Sequence, residues 1–292
     1  MCLLSGIKRR IAAILLAACP LSLANAQQPV KIMIDPGHGG EDTGAVGSRE
    51  IDKNGAIAPG RLIEKKVVLE LARLLGEQLQ ANGHAVSYTR TSDIAVPLAD
   101  RAKVANDEGS DIFVSLHLNS FTSKNAKGSE VYFLSLGPVD QEMQDIAEAE
   151  NESDPLDLGD DMGMDFLAGI LDDLAQQAYL HESERMAVFI QAELNRLAGI
   201  KERGVKQAPF SVLRTAAMPA VLVETAFISN PAEAAKLRNP AFLKSAAQAI
   251  AAGIQRYVEY SGNNRIRRNT EPYGQSAQMS LRQTTDLDIK RQ

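Results

Sequence analysis

VKIMIDPGHGG, residues 30–40, is the stretch from which the rest of the chain is read. Val30 to Ile34 is a short apolar, β-branched run, and Asp35-Pro36-Gly37 turns out of it, so a strand leads straight into a glycine-rich loop. Further along, Glu64 opens a segment in which Val67, Val68, Leu71, Leu74, Leu75 and Leu79 recur at helical spacing, and Asn82-Gly83 stops it. Strands are predicted at 84–89, 111–116 and 130–136, with a short helix over 98–106. Residues 183–197 form an amphipathic helix with Met186, Phe189, Ile190 and Leu194 on one face. Val212-Leu213 and residues 221–224 read as short strands, and 231–257 as helix. Strand and helix alternate, which predicts a single α/β domain with helices on both faces of a mostly parallel sheet.

The 292 residues, 45% hydrophobic and 23% charged, are those of an ordinary globular chain. Residues 1–26 read as an export signal peptide: basic Lys8, Arg9 and Arg10, an apolar core from Ile11 to Leu23 too short to span a bilayer, then Ala24-Asn25-Ala26 before the cut. Two variants stay open, a lipoprotein box ending at Cys19 and a twin-arginine signal at Arg9-Arg10. Both cysteines, Cys2 and Cys19, fall in this segment, so the mature chain has only His, Asp and Glu for a metal. The leader carries no charges beyond those three cations, so its loss takes the formal charge from −6 to −9. That balance argues against nucleic acid, and leaves membrane attachment only through a lipid on Cys19.

Four residues carry chemistry: His38 in the glycine-rich loop, Glu64 at the head of its helix, His117 in DIFVSLHLNS, and Glu224 in PAVLVETAFISN. Two histidines and a carboxylate suit a catalytic zinc with one open position, and a further carboxylate suits the base for its water. Two also have a plain reading, Glu64 as a favoured charge at a helix start and His38 as a polar loop residue. His38, His117 and Glu224 fall at or just past strand carboxyl ends, where α/β sheets gather ligands. Asp35 is a candidate to hydrogen-bond within the metal loop or to orient His38. His84 reads as a satisfied strand-edge or surface histidine, and His181-Glu182 lacks the second histidine of HExxH, since Arg185 stands there.

From Lys31 to about Tyr257 the chain resembles the zinc-dependent N-acetylmuramoyl-L-alanine amidases, amidase type 3. The resemblance rests on IDPGHGGEDTGAVG, EKKVVLELA, TRTSD followed by LADRAKVAN, FVSLHLNS, RGVKQAPFSVLR and PAVLVETAFISN, in that order. It implies a mixed six-stranded sheet flanked by helices and one zinc per chain held by His38, Glu64 and His117. It also implies Glu224 as the catalytic carboxylate and peptidoglycan as substrate, cut between N-acetylmuramic acid and L-alanine. Asn119 and Arg214 are candidate substrate-positioning groups. A zinc peptidase on stem peptides and a non-catalytic peptidoglycan-binding module are the alternatives.

Residues 138–184 break the pattern with 15 acidic residues and no Lys or Arg. Within them, Met164 to Ala178 shows an apolar stripe at helical spacing. The stretch is either a solvated loop with one packed helix or, by the resemblance, the regulatory insertion of cell-division amidases. In those enzymes a helix covers the zinc until an activator with a LytM-like domain binds. Glu150 is then the expected blocking ligand, with Glu148 in reserve. The catalytic domain is expected over 27–260, as an exported monomer in the periplasm or cell envelope, and 261–292 as a disordered polar tail.

Overall fold

The computed structural model describes residues 29–47, 61–152, 166–197 and 199–270. The expected leader with Cys19, Met164 and the end of the polar tail lie outside the described residues. Six strands form one sheet: β1 (Lys31–Pro36), β2 (Ala85–Tyr88), β3 (Ile112–Asn119), β4 (Ser129–Leu134), β5 (Glu202–Ala208) and β6 (Ala220–Phe227). Their order is β2-β1-β3-β6-β4-β5, parallel throughout except for the antiparallel β4–β6 pair. The helices are α1 (Glu64–Ala81), α2 (Leu98–Asp107), α3 (Gln141–Asn151), α4 (Phe166–Leu194), α5 (Ser211–Arg214), α6 (Pro231–Leu237) and α7 (Pro240–Thr270).

Period-two alternation divides the strands between two cores. Ile32, Ile34, Val114, Leu116, Val221 and Val223 pack with α1, α4 and α7 on one face. Met33, Phe113, Tyr132 and Leu222 pack with α2, α3 and α5 on the other. The central strands β3 and β6 are buried at every position, as strands covered on both faces must be.

Several elements differ from the sequence reading. β5 replaces the expected strand at Val212-Leu213, which is instead the helical turn α5. Its sequence ERGVKQA is polar because it is a half-exposed edge, so it lacks the apolar signature of a strand. The 183–197 helix is the second half of the longer α4. No Gly or Pro separates Ala178 from Ser183, and Ser183 Oγ donates back to the Tyr179 carbonyl. The 231–257 helix breaks at Asn239-Pro240, where proline starts α7, and α7 continues past residue 260 to Thr270.

α4 and α7 touch backbone to backbone at Gly253, where an added Cβ would lie 2.8 Å from Ile190 N and 2.9 Å from Phe189 O. Helix propensity alone favours Gly→Ala by about 1 kcal/mol, whereas overpacking costs about 1–3 kcal/mol. The obstacle here is backbone, so the clash wins. Gly253→Ala is expected to lower the urea unfolding midpoint by an amount equivalent to about 1–2 kcal/mol; an unchanged or higher midpoint would contradict this packing.

Candidate metal centre

The glycine-rich loop leaves β1 with His38 at φ 60°, the one non-glycine residue in the left-handed region among the described residues. Such a conformation costs about 1–3 kcal/mol and persists only where the surroundings impose it. Gly37 and Gly44 make the room. A Cβ on Gly37 would run into the His117 imidazole, and one on Gly44 would lie 2.5 Å from His38 Cδ2 and 2.7 Å from Glu64 Oε2.

Glu64 is fixed from two sides. The first N–H groups of α1 have no side-chain cap; Glu64 N donates to Ala45 O and Lys65 N to Thr43 O. In return Glu64 Oε2 accepts from Ala45 N at 2.8 Å, and its Oε1 accepts from Leu118 N at 2.8 Å. Its carboxylate, fully buried, therefore sits at the carboxyl end of β3. His117 arrives within β3 itself, directly opposite Glu224 of β6. Both therefore lie inside their strands and not beyond them, because the strands run three residues further than their apolar cores suggest.

The structure brings His38, Glu64, His117 and Glu150 together, with one ligand atom from each all within 4.8 Å of one another, a set that could hold a metal ion. His38 Nε2 lies 3.1 Å from Glu64 Oε1 and 3.3 Å from Glu150 Oε2. His117 Nδ1 lies 3.4 Å from Glu64 Oε1 and 2.7 Å from Glu150 Oε2. Yet His38 Nε2, His117 Nδ1 and Glu150 Oε2 are buried without a partner in hydrogen-bonding geometry. Buried polar atoms seldom stand so, and lone pairs converging on one point fit a cation there.

Asp42 orients His38: its Oδ2 lies 2.9 Å from Nδ1, and its Oδ1 accepts from Gly44 N. This corrects the expectation for Asp35, which instead accepts from Thr89, Ser115 and Arg101. The position of Asp42, four residues after His38 in the same loop, was a usable signal.

Charge is concentrated here. Burial alone would depress both imidazoles, but the carboxylates of Glu64, Asp42 and Glu150 outweigh it and raise His38 strongly. His117 is likewise pulled down by burial but lifted to about 10, chiefly by Glu150. Burial tends to raise Glu150, and the two histidines bring it well below the usual carboxylate range. Glu224 goes the other way: full burial, then the charge of Glu150, push it well above that range, and neither oxygen has a hydrogen-bond partner.

α3 delivers Glu150. Asp140 caps it through Met143 N, and Met143, Ile146 and Ala147 are buried in the second core. Asn151 closes the other end, donating to Pro209 O and accepting from Ser211 N. Glu148 is exposed and accepts from Gln144, away from the cluster. Beside Glu150 a cavity of about 570 Å³ is lined by His38, Asp42, Asn119, Phe121 and Ile146, among others. Asn119 is buried there with its Nδ2 unpartnered, whereas Arg214, half-buried at the end of α5, does not line it. His84 is buried, held by Val30 N and Gln255, and His181 is exposed beside Arg185.

Residues 32–256 match the family described as N-acetylmuramoyl-L-alanine amidase. The chain is 40% identical over 238 residues to the N-acetylmuramoyl-L-alanine amidase AmiC of Neisseria meningitidis, covering 81% of this chain and 54% of that one. It is 36% identical over 236 residues to AmiA of Salmonella typhimurium, covering 80% and 78% respectively. The chain thus spans about half the length of the AmiC relatives it matches. Among solved structures it resembles the amidase AmiC2 of Nostoc punctiforme, at a TM-score of 0.56 and 26% identity, over 79% of this chain and 97% of that one. With its α/β sheet, its loop-borne histidine and this breadth of match, the chain belongs to the N-acetylmuramoyl-L-alanine amidase family.

Proposed function

We propose that this chain is a zinc-dependent peptidoglycan amidase that cleaves between N-acetylmuramic acid and L-alanine and is held shut at rest by Glu150. The observation that carries the reading is the convergence of four ligand atoms beside a third carboxylate, Glu224, which is buried and unpartnered. Tetrahedral zinc with bonds of about 2.0–2.2 Å keeps its ligand atoms about 3.3–3.6 Å apart; the four histidine–carboxylate separations here run from 2.7 to 3.4 Å, and the whole set lies within 4.8 Å. His38 Nε2, Glu64 Oε1 and His117 Nδ1 would hold the ion. It would supply Lewis acidity toward a water and the scissile carbonyl.

The remaining chemistry belongs to the side chains. Desolvation raises the proton affinity of Glu224, which suits a group that takes a proton from the attacking water and returns it to the departing amine. The C–O bond forms, the C–N bond breaks, and the same proton leaves on the L-alanine nitrogen. Asp42 keeps Nε2 of His38 turned inward, and Asn119, which lines the cavity, would donate from its amide to a substrate carbonyl.

Glu150 Oε2 takes the corner of the set that a water would need. Withdrawing it means unpacking Met143 and Ile146, whose burial contributes about 3–6 kcal/mol. That cost suits release by a binding partner, and the resemblance points to a LytM-domain activator. The substrate and the expected leader make the cell envelope the place of action. Among the described residues no helix is long and apolar enough to cross a membrane.

Purified cell walls test the reading. Freed of the proposed block by Glu150→Ala, the chain should release whole stem peptides with a free L-alanine amine and leave the glycan intact. A chelator should stop release, and added zinc restore it. Release of single terminal amino acids would make it a peptidase, and wall binding without release by the Glu150→Ala chain would make it a binding module. Glu224→Gln added to Glu150→Ala should cut turnover at least 100-fold while zinc stays bound; turnover equal to that of Glu150→Ala alone would remove Glu224 from the mechanism. Glu150→Ala should raise release without any activator by tenfold or more (~1.4 kcal/mol). Unchanged basal release from folded, zinc-loaded protein would exclude Glu150 as the block.

A further inference from the structure

Two of the quoted motifs, TRTSD and LADRAKVAN, contribute nothing to the ligand set, yet each sends a buried arginine under the His38 loop. Arg90 donates from Nε to Pro36 O at 2.9 Å and from Nη2 to Gly37 O at 2.7 Å. Arg101 donates from Nη1 to Pro36 O at 3.0 Å and from Nη2 to His38 O at 3.1 Å. Three successive carbonyls, of Pro36, Gly37 and His38, are thus tied to two guanidiniums. Arg101 is itself paired with Asp35 at 2.8 Å, and the two arginines are 2% and 3% exposed.

Burying two cations against one carboxylate is costly, and an ordinary turn could leave its carbonyls to water. What the arrangement achieves is specific. The planes of the peptides on either side of His38 are both fixed, through Gly37 O and His38 O. With both planes fixed, φ and ψ of His38 have no freedom, and the left-handed φ of 60° is imposed on it. The direction of its Cβ, and so the place of its Nε2, follows. A lysine could not do this, because an ammonium is a point charge without the planar fork that spans several acceptors.

We propose that Arg101 and Arg90 are positioning residues of the metal centre, clamping the strained loop so that His38 is pre-set to ligate. This rests on the reading of His38 as a metal ligand. Neither arginine belongs to the ligand set or lines the cavity. They act through the backbone, while Asp42 acts through the imidazole.

The test uses the full chain, stripped with a chelator and titrated with zinc against a chromogenic competitor, with Arg101→Lys, Arg90→Lys and the distant core variant Leu79→Ala. Leu79 lies about 22 Å along α1 from Glu64, in the same core but away from the loop. Arg101→Lys and Arg90→Lys should each weaken zinc binding about 10- to 100-fold and alter the visible absorption of the cobalt(II)-loaded protein. Leu79→Ala should lower the melting temperature at least as much while leaving affinity and spectrum unchanged. Should Arg101→Lys fail to fold, Arg90→Lys carries the same test with the Asp35 pair intact. Wild-type affinity and spectrum in a folded lysine variant would overturn the inference, as would equal zinc loss in Leu79→Ala. A wild-type chain that bound no zinc would overturn the metal reading instead, and this inference with it.

Discussion

The parallel register of β1, β3 and β6 is the constraint on which the site depends. Asp35 pairs with Ser115, and His117 with Glu224, so these four side chains share the face that carries Phe113 and Leu222. A slip of one residue would send each to the opposite core. The register is secured because both faces are buried: Ile34, Val114 and Val223 fill one core while Met33, Phe113 and Leu222 fill the other. The chain leaves β1 for β2 on one side and returns to β3 on the other, with α1 and α2 on opposite faces. That reversal opens a crevice at the carboxyl ends of β1 and β3, the usual place for a ligand in a doubly wound sheet. The His38 loop, Glu64 and His117 all reach it.

Holding so many carboxylates in one crevice requires compensation, and the sheet supplies it in pairs. Glu130 of β4 stands opposite Glu224, a like-charge placement that would be destabilising if both were exposed to each other's full charge. Glu130 is instead neutralised by Arg203 and Lys206 of β5 and accepts from Tyr132. Arg203 also pairs with Glu142 at the start of α3, at 2.7 Å. Among the described residues no Lys or Arg pairs with Glu224, and burial, then the charge of Glu150, raises its proton affinity against the pull of His117. One strand pair thus separates two glutamates into a structural anion and a proton carrier of the proposed reaction.

The acidic stretch after β4 gains its meaning from this crevice. Its helix α3 is amphipathic in an ordinary way, with Met143, Ile146 and Ala147 inward and Glu148 outward. What distinguishes Glu150 is the direction its turn of helix faces once the packing is set. The same apolar contacts that make α3 a stable part of the second core also hold the carboxylate between His38 and His117. Packing and the proposed inhibition are one interaction.

The alternating architecture was legible in the sequence because apolar periodicity is a local signal, and β1, α1, β3 and β6 carry it strongly. β5 was missed because an edge strand of ERGVKQA shows no such signal, and α5 was misread because Val212-Leu213 is too short to have a period. His38, Glu64, His117 and Glu224 stood out as residue types that apolar strands and glycine loops do not otherwise need. Their roles beyond that came from resemblance. Glu150, with Glu148 in reserve, was expected from the resemblance alone, and Asp42 on His38 was passed over for Asp35 although it lies in the same loop; Arg90 and Arg101 beneath the loop had no local signal. Arg101 lies 63 residues from the carbonyl of His38 that it holds. The chain by itself determined which segments are strands and helices and which residues could carry a charge or a metal. Only tertiary structure decided which of them meet, because a contact between distant residues depends on register and packing direction, and neither is written in any local pattern.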